Sequence, residues 1–252
     1  MMENVLAQQF HFPSCVGIFF VASFTLFSFG NMKFIHILLI AAIVLGACKK
    51  KGSSIDQNKI FQSYEMSYDA GTNITTFYAR FYENSENGKG LLIHEYGGIT
   101  VNGEKMNRNG AVYVFTMAGE ITVGSFIFTD ANGKKYFNSL ANEQSINNDD
   151  ESSIDNNSNT DWVFSGNPLN TSETISVLID SYEENGGNSV SYTTDIGANH
   201  VQVTATDMTN LQPGSARIYT KRSSTMSSGN WTNAGGKKKS EYVSAISDIL
   251  VY

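Results

Sequence analysis

Cysteine is almost missing: the 252 residues hold two, Cys15 and Cys48. A chain so poor in thiols has no disulfide framework, and its stability has to come from core burial. Charge is also low, at 16%, and the formal net charge is −7, which argues against a nucleic-acid partner because phosphate binding needs a basic surface. Lys and Arg are absent from Tyr136 through Ala216, against twelve Asp and Glu. From Arg217 to Tyr252 the balance reverses, with six basic and two acidic residues. Such segregation sets up a local field; it is either a solvated surface or a pair of poles for cations and for an anionic partner. Catalytic signatures are missing as well. There is no Gly-x-Ser-x-Gly elbow, no His-x-x-x-His pair and no phosphate-cradling glycine loop. His94 and Glu95 are neighbours in an extended segment, so they point to opposite faces and form no local dyad. His200 shares a face with Gln202 and Thr204, read as the solvent face. No catalytic residue, cofactor or metal site is assigned, and the chain is read as a non-enzyme.

What is present is clearest near the N-terminus. From Met32 the chain reads MKFIHILLIAAIVLGAC, with Lys33 as a short positive start. Ile35 to Leu45 is mostly apolar and too short to cross a bilayer as a helix of about 20 residues. Leu45-Gly46-Ala47-Cys48 then resembles the lipobox of bacterial lipoproteins. The resemblance implies a signal peptide at 32–47, lipidation of the Cys48 thiol, and a mature chain that starts at that residue. Residues 1–31 carry a second apolar stretch without its own lipobox. They are either an extension from a start placed too early or a genuine first membrane segment. Lys49-Lys50-Lys51-Gly52-Ser53-Ser54 has no apolar periodicity, and 48–58 reads as a tether. Lysines there can sit against anionic headgroups, worth about 1 kcal/mol each.

Beyond the tether, Gly, Asn, Tyr and Phe punctuate short alternating segments, the profile of an all-β domain. Phe77, Ala79 and Phe81 share one face of a segment spanning Ile74–Glu83, and Thr76, Tyr78 and Arg80 the other, the period of two of a half-buried strand. Asn102-Gly103 is a strong hairpin signal, and turns are also read at Asp69-Ala70-Gly71-Thr72 and Asp130-Ala131-Asn132-Gly133. A second set of strands runs from Trp162 to Tyr252, with Ala216, Ile218 and Thr220 alternating against Arg217, Tyr219 and Lys221. Asn142–Thr160 lies between the sets and is almost devoid of apolar residues. The expectation is two β-sandwich domains, 59–141 and 161–252, joined by an acidic linker at 142–160; one larger sandwich with an exposed loop is the competitor.

Leu211-Gln212-Pro213-Gly214 before a strand resembles a turn of fibronectin type III domains. The Cys-Lys-Lys start, the Asn-Gly turn and the Phe-x-Phe-x-Asp-x-x-Gly run before Tyr136 resemble immunoglobulin-like lipoproteins of the Bacteroidetes. That resemblance implies immunoglobulin-like sandwiches and a lipid-anchored place in the cell envelope; an acidic motif after the Cys can direct that group to the cell surface, and the lysines that stand here instead favour the periplasmic side of the outer membrane over surface display. It implies no activity. Two local features remain. Asp155, Asn157, Asn159 and Asp161 put oxygens at alternate positions, as at the start of a calcium loop, but Thr160 and Gly166 stand where such a loop needs Gly and Glu. Tyr96 and Trp231 lie in or beside glycine loops, where aromatics either stack on sugars or cover a core edge. The functional expectation is a non-catalytic structural or protein-interaction lipoprotein, with glycan capture for polysaccharide uptake as the alternative.

Overall fold

The computed structural model describes residues 50–51, 54–93, 98–143, 145–148, 152–165, 167–182 and 187–252. Cys48, His94 and Tyr96 lie outside the described residues. Strands in the first half are β1 (Lys50–Lys51), β2 (Ile60–Asp69), β3 (Ile74–Glu83), β4 (Leu91–Leu92), β5 (Gly98–Val101), β6 (Glu104–Lys105), β7 (Asn107–Asn109), β8 (Val112–Ala118), β9 (Val123–Thr129) and β10 (Lys135–Ala141). In the second half come β11 (Asn147–Asn148), β12 (Ser153–Ile154), β13 (Thr160–Ser165), β14 (Glu173–Ser181), β15 (Asn188–Thr193), β16 (His200–Val203), β17 (Gly214–Met226), β18 (Gly236–Val243) and β19 (Ser247–Val251). Among the described residues there is no α-helix, and no helix is long and apolar enough to cross a membrane; a 3₁₀ turn lies at Gln57–Lys59. The chain is all-β, with sandwich-like sheets.

Side-chain alternation explains why these segments became strands. In β3, Thr75, Phe77, Ala79 and Phe81 are buried; in β17, Ala216, Ile218 and Thr220 are. β10 buries Tyr136, Asn138 and Leu140 while Phe137 faces solvent. The turns follow from local chemistry. Asn102 (φ 51°) and Gly103 (φ 86°) both adopt positive φ, the pairing that joins β5 to β6 in register with the strand twist. Asp69 Oδ1 accepts the Gly71 and Thr72 amides at 2.8 and 3.2 Å, and Asp130 Oδ1 accepts those of Asn132 and Lys134 at 2.8 and 2.9 Å.

Two hydrophobic cores result. The first is aromatic: Tyr64, Phe77, Phe81, Phe126, Phe128 and Tyr136 lie between the sheet carrying β2, β3 and β8 and the four-stranded sheet β10-β9-β5-β6. Each such ring removed from water contributes about 1.5–3 kcal/mol. The second core packs Trp162, Ile175, Val177, Ile179, Val201 and Ile218 between the β14–β17 region and the three-stranded sheet β11-β13-β16.

The two cores do not belong to two independent domains, which corrects the expected boundaries. Lys50–Tyr252 is one unit. A single ten-stranded sheet runs through it, and β18 pairs in parallel with β2 from Gly236↔Gln62 to Val243↔Asp69. β17 is the branch point: β14 lies along one edge, and the other edge is shared by β19 over Gly214–Ile218 and β18 over Lys221–Met226. Where β18 gives way to β19, Ser244 takes over the pairing, its Oγ accepting the Thr220 amide at 2.9 Å and its own amide donating to Thr220 O. Trp231 packs on the first core, whereas Tyr68 packs in the second, so each half lends residues to the other.

The expected linker is likewise part of the fold. Glu143, Ile146 and Ile154 are buried, and β12 pairs in parallel with β19. Isolated apolar residues in a polar run carry no periodic signal, which is why 142–160 looked free. The tether is shorter than expected for the same reason: Ile55 and Gln57 are buried, and Lys50–Lys51 pair with Leu91–Leu92.

Candidate functional site

β15 and β16 each end a sheet. Among the described residues β15 pairs only with β14, and β16 only with β13. Between these two outer strands lies an open groove of about 490 Å³, lined by Ser191, Tyr192, Asp195, His200, Gln202 and Asp207 among others. Tyr192 stands 69% exposed and Val190 51% exposed on the outer face of β15. Among the described residues no Lys or Arg lines the groove.

Asp207 fixes the floor. Its Oδ2 accepts the Ser191 hydroxyl at 2.7 Å and the Thr204 amide at 3.1 Å, and its own amide donates to Thr204 Oγ1 at 3.2 Å. This is a reciprocal capping arrangement built from Thr204-Ala205-Thr206-Asp207, anchored by the fully buried Met208. Burial opposes ionisation of Asp207, but the hydrogen bonds from Ser191 and Thr204 outweigh it and hold the carboxyl below the ordinary aspartate range. The groove therefore presents a fixed carboxylate at neutral pH.

Ser191, His200 and Asp207 meet in this groove, but not in nucleophilic order. A serine is activated when an imidazole takes its proton and a carboxylate steadies the imidazole. Here the serine donates straight to the carboxylate, and His200 Nδ1 lies 3.2 Å from Asn199 Oδ1. The arrangement is that of a rigid hydrogen-bonding surface.

The other residues singled out from the sequence are placed as follows. His200 and Gln202 are exposed on β16, the solvent face read for them, whereas Thr204 lies just past the strand and is half-buried. Trp231 is not a free platform. Its ring stacks on Tyr64 at 5.8 Å and 25°, and its Nε1 donates to Ser227 O at 2.7 Å. The backbone closes around it so tightly that a Cβ on Gly229 or Gly236 would lie 2.5 Å from the indole. Trp231 seals the edge of the first core. In the Asp155–Asp161 loop the oxygens serve the chain itself. Asp155 Oδ1 accepts the Asn157 amide at 2.9 Å, Asn159 Oδ1 accepts the Ala205 amide at 3.0 Å, and Asp161 Oδ1 accepts from Gln202 at 3.4 Å. They cap turns and do not converge; among the described residues no three His, Cys, Asp or Glu are gathered as for a metal.

One polar cluster escaped the sequence reading altogether. Arg222 is fully buried on β17; its guanidinium donates to Glu173 Oε2 at 2.5 Å and to the carbonyls of Asn167 and Pro168 at 2.7 and 3.2 Å. Beside it the buried Glu143 accepts a short hydrogen bond from the Ser224 hydroxyl. Burial pushes the Glu143 carboxyl above its ordinary range; Ser224 and Arg222 pull it down, and the charge of Glu173 adds to the rise. At Glu173 burial is outweighed by the Asn170 amide and Arg222, and the carboxyl lies below its ordinary range. With Arg222 fully buried at its centre, this cluster ties β17 to β14, to the Asn167 and Pro168 carbonyls and to the segment that follows β10.

The fold and groove define an all-β, sandwich-like protein with an open polar groove at one sheet edge. No protein-family model and no curated protein matches the sequence. Among solved structures the chain is similar to trypsin-activated alpha-2-macroglobulin from Escherichia coli, with 10% identity and a TM-score of 0.22 over 79% of this chain. The match spans 16% of that protein's length.

Proposed function

We propose that the chain is a bacterial envelope lipoprotein, anchored through Cys48, whose β domain has a non-catalytic binding role. The carrying observation is Leu45-Gly46-Ala47-Cys48 directly after an apolar run too short to span a bilayer. The location that goes with it is the outer membrane, periplasmic side, with the membrane itself as the first partner. A binding role is supported by the groove, whose polar groups are locked in place by the scaffold and not paired as nucleophile and base. Glycan capture is the second reading, and one observation favours it: the open groove is lined mainly by polar side chains, Gln202, Asp195 and Asp207 among them. Metabolic labelling with an alkyne fatty acid tests the anchor. Label and membrane sedimentation are expected for the wild type and lost in Cys48→Ala. An unlabelled wild type in the soluble fraction would refute the anchor.

A further inference from the structure

We infer that the outer face of the four-stranded sheet β10-β9-β5-β6 docks on the anionic bilayer surface that holds the lipid anchor, with Phe137 set into the interface and Lys105 and Lys135 against the headgroups. The inference rests on the lipoprotein reading above and names the face by which the domain meets its membrane. Register defines that face. Phe137 pairs with Ile127, Ile127 with Thr100, and Thr100 with Lys105, one row across all four strands. Lys135 and Thr129 form the next row on the same side. Phe137 is 57% exposed, and Lys105 and Lys135 are exposed as well. An aromatic ring framed by lysines suits a lipid interface, where the ring enters the headgroup layer and the ammonium groups meet phosphate.

Charge supports the same face. Glu104 is the one carboxylate among the residues of these four strands, and it pairs with Val101, in register with the inward side. In the turn that joins β9 to β10, Asp130 is buried and its carboxylate is taken up by the Asn132 and Lys134 amides. Asp56, at the entry to the fold, accepts the Asn58 amide at 3.0 Å. Lys59, Lys105, Lys134 and Lys135 are exposed, and among the described residues none of them enters an ion pair. Most of the basic residues after Ala216 are instead engaged inside the fold. Arg217 pairs with Asp180, Lys221 and Lys239 with Glu241, Arg222 with Glu173 and Lys237 with Glu86.

Chain connectivity selects the membrane as the partner. Lys50 pairs with Leu91, which is buried in the first core, and Cys48 stands two residues earlier. Two residues span at most about 7 Å, so a lipid on Cys48 keeps the first core close to the bilayer. The Ala131 amide donates to Gln57 Oε1 at 3.0 Å. That bond sets the β9–β10 turn, which leads into Lys134 and Lys135, against the segment where the chain enters the fold. On so short a tether the headgroups are met at high effective concentration, and a few weak contacts suffice. The other half has the opposite sign. Strands β11 to β16 lie within Tyr136–Ala216, which holds twelve Asp and Glu and no Lys or Arg, and anionic lipid repels it.

The test uses the full-length protein with Phe137→Trp, extracted in detergent and reconstituted into vesicles whose lipids are brominated along the acyl chains. One set contains phosphatidylethanolamine with phosphatidylglycerol, the other phosphatidylcholine in place of phosphatidylglycerol. Trp162 is buried and Trp231 is stacked in the first core, so the unsubstituted protein serves as the blank for quenching at position 137. Quenching of the new indole is expected with phosphatidylglycerol and should fall with phosphatidylcholine. Adding Lys105→Gln and Lys135→Gln should lower the docked-to-free ratio about 25-fold, about fivefold for each lysine at an anionic surface. Unchanged melting of each variant shows that the fold is intact. No quenching with phosphatidylglycerol, equal quenching with phosphatidylcholine, or quenching that survives both lysine changes would each overturn the inference. A photo-crosslinker at position 137 that captures a protein in place of lipid would also overturn it, leaving the lipoprotein reading in place. If Cys48 takes no fatty-acid label, the anchor fails on its own. The same protein added to preformed phosphatidylglycerol vesicles then decides the face: quenching at position 137 supports it, and none overturns it.

Discussion

At Glu143 burial and the neighbouring charge of Glu173 raise the carboxyl, against Ser224 and Arg222. A carboxyl whose folded pKa lies above its unfolded one binds its proton more readily in the folded state. Folding stability then falls as pH rises from the ordinary glutamate value, about 4.3, through the folded value. Glu143→Gln keeps an acceptor for the Ser224 hydroxyl and removes the charge. It should raise the melting temperature at pH 7, with the gain fading to nothing below about pH 4. Calorimetric melts of both proteins across this range decide it, and a variant less stable at pH 7 would sink the argument. Glu173 works with the opposite sign: its depressed carboxyl adds stability above the ordinary value, lost as pH falls through the folded one.

Strands and turns show which parts of the fold the sequence made legible. The hairpin β5–β6 depends on positive φ at Asn102 and Gly103, and a Cβ at Gly103 would touch nothing within 4 Å. The cost of replacing Gly103 is therefore backbone strain alone. Gly103→Val should lower stability by about 1–3 kcal/mol in urea unfolding, while Gly103→Asn, which tolerates this conformation, should lose far less. Such local rules made Ile74–Glu83 readable to its ends and put Ala216, Ile218 and Thr220 on one face, which the fold buries. The groove was not readable, because it joins Tyr192 of β15, Gln202 of β16 and the turn after β16 through pairings that no local period encodes. One trace of it was available: Thr204-Ala205-Thr206-Asp207 has the Ser/Thr-x-x-Asp/Glu pattern of a capping box. The buried Arg222 left no trace, since in an alternating strand a charged residue on the inner face reads as a register error.

Across the whole molecule, parallel pairing of β18 with β2 decides how the protein folds and fails. Parallel neighbours need a long connection, and here nearly all the chain between them forms it. Other bonds cross at the same place. Thr232 Oγ1 donates to Ile60 O at 2.6 Å, Asn138 and Asn230 exchange two bonds at 2.9 Å, and Ser240 donates to Ala141 O at 2.7 Å. Cutting the chain at the expected boundary would strip the first core of Trp231 and leave the β2 edge open. It would also remove Glu143 from Ser224 and Tyr68 from Tyr242, whose rings lie 5.6 Å apart. Residues 50–252 should therefore unfold in one cooperative step, with calorimetric and van't Hoff enthalpies equal. Fragments 59–141 and 161–252, expressed separately, should each lack a cooperative melt, and mixing them should restore one. Two resolved transitions in the intact chain, or a fragment that melts cooperatively alone, would mean that the shared sheet does not couple the cores. The groove strands β15 and β16 sit on the second core, so a coupled fold also predicts that the groove and the first core are lost at the same urea concentration.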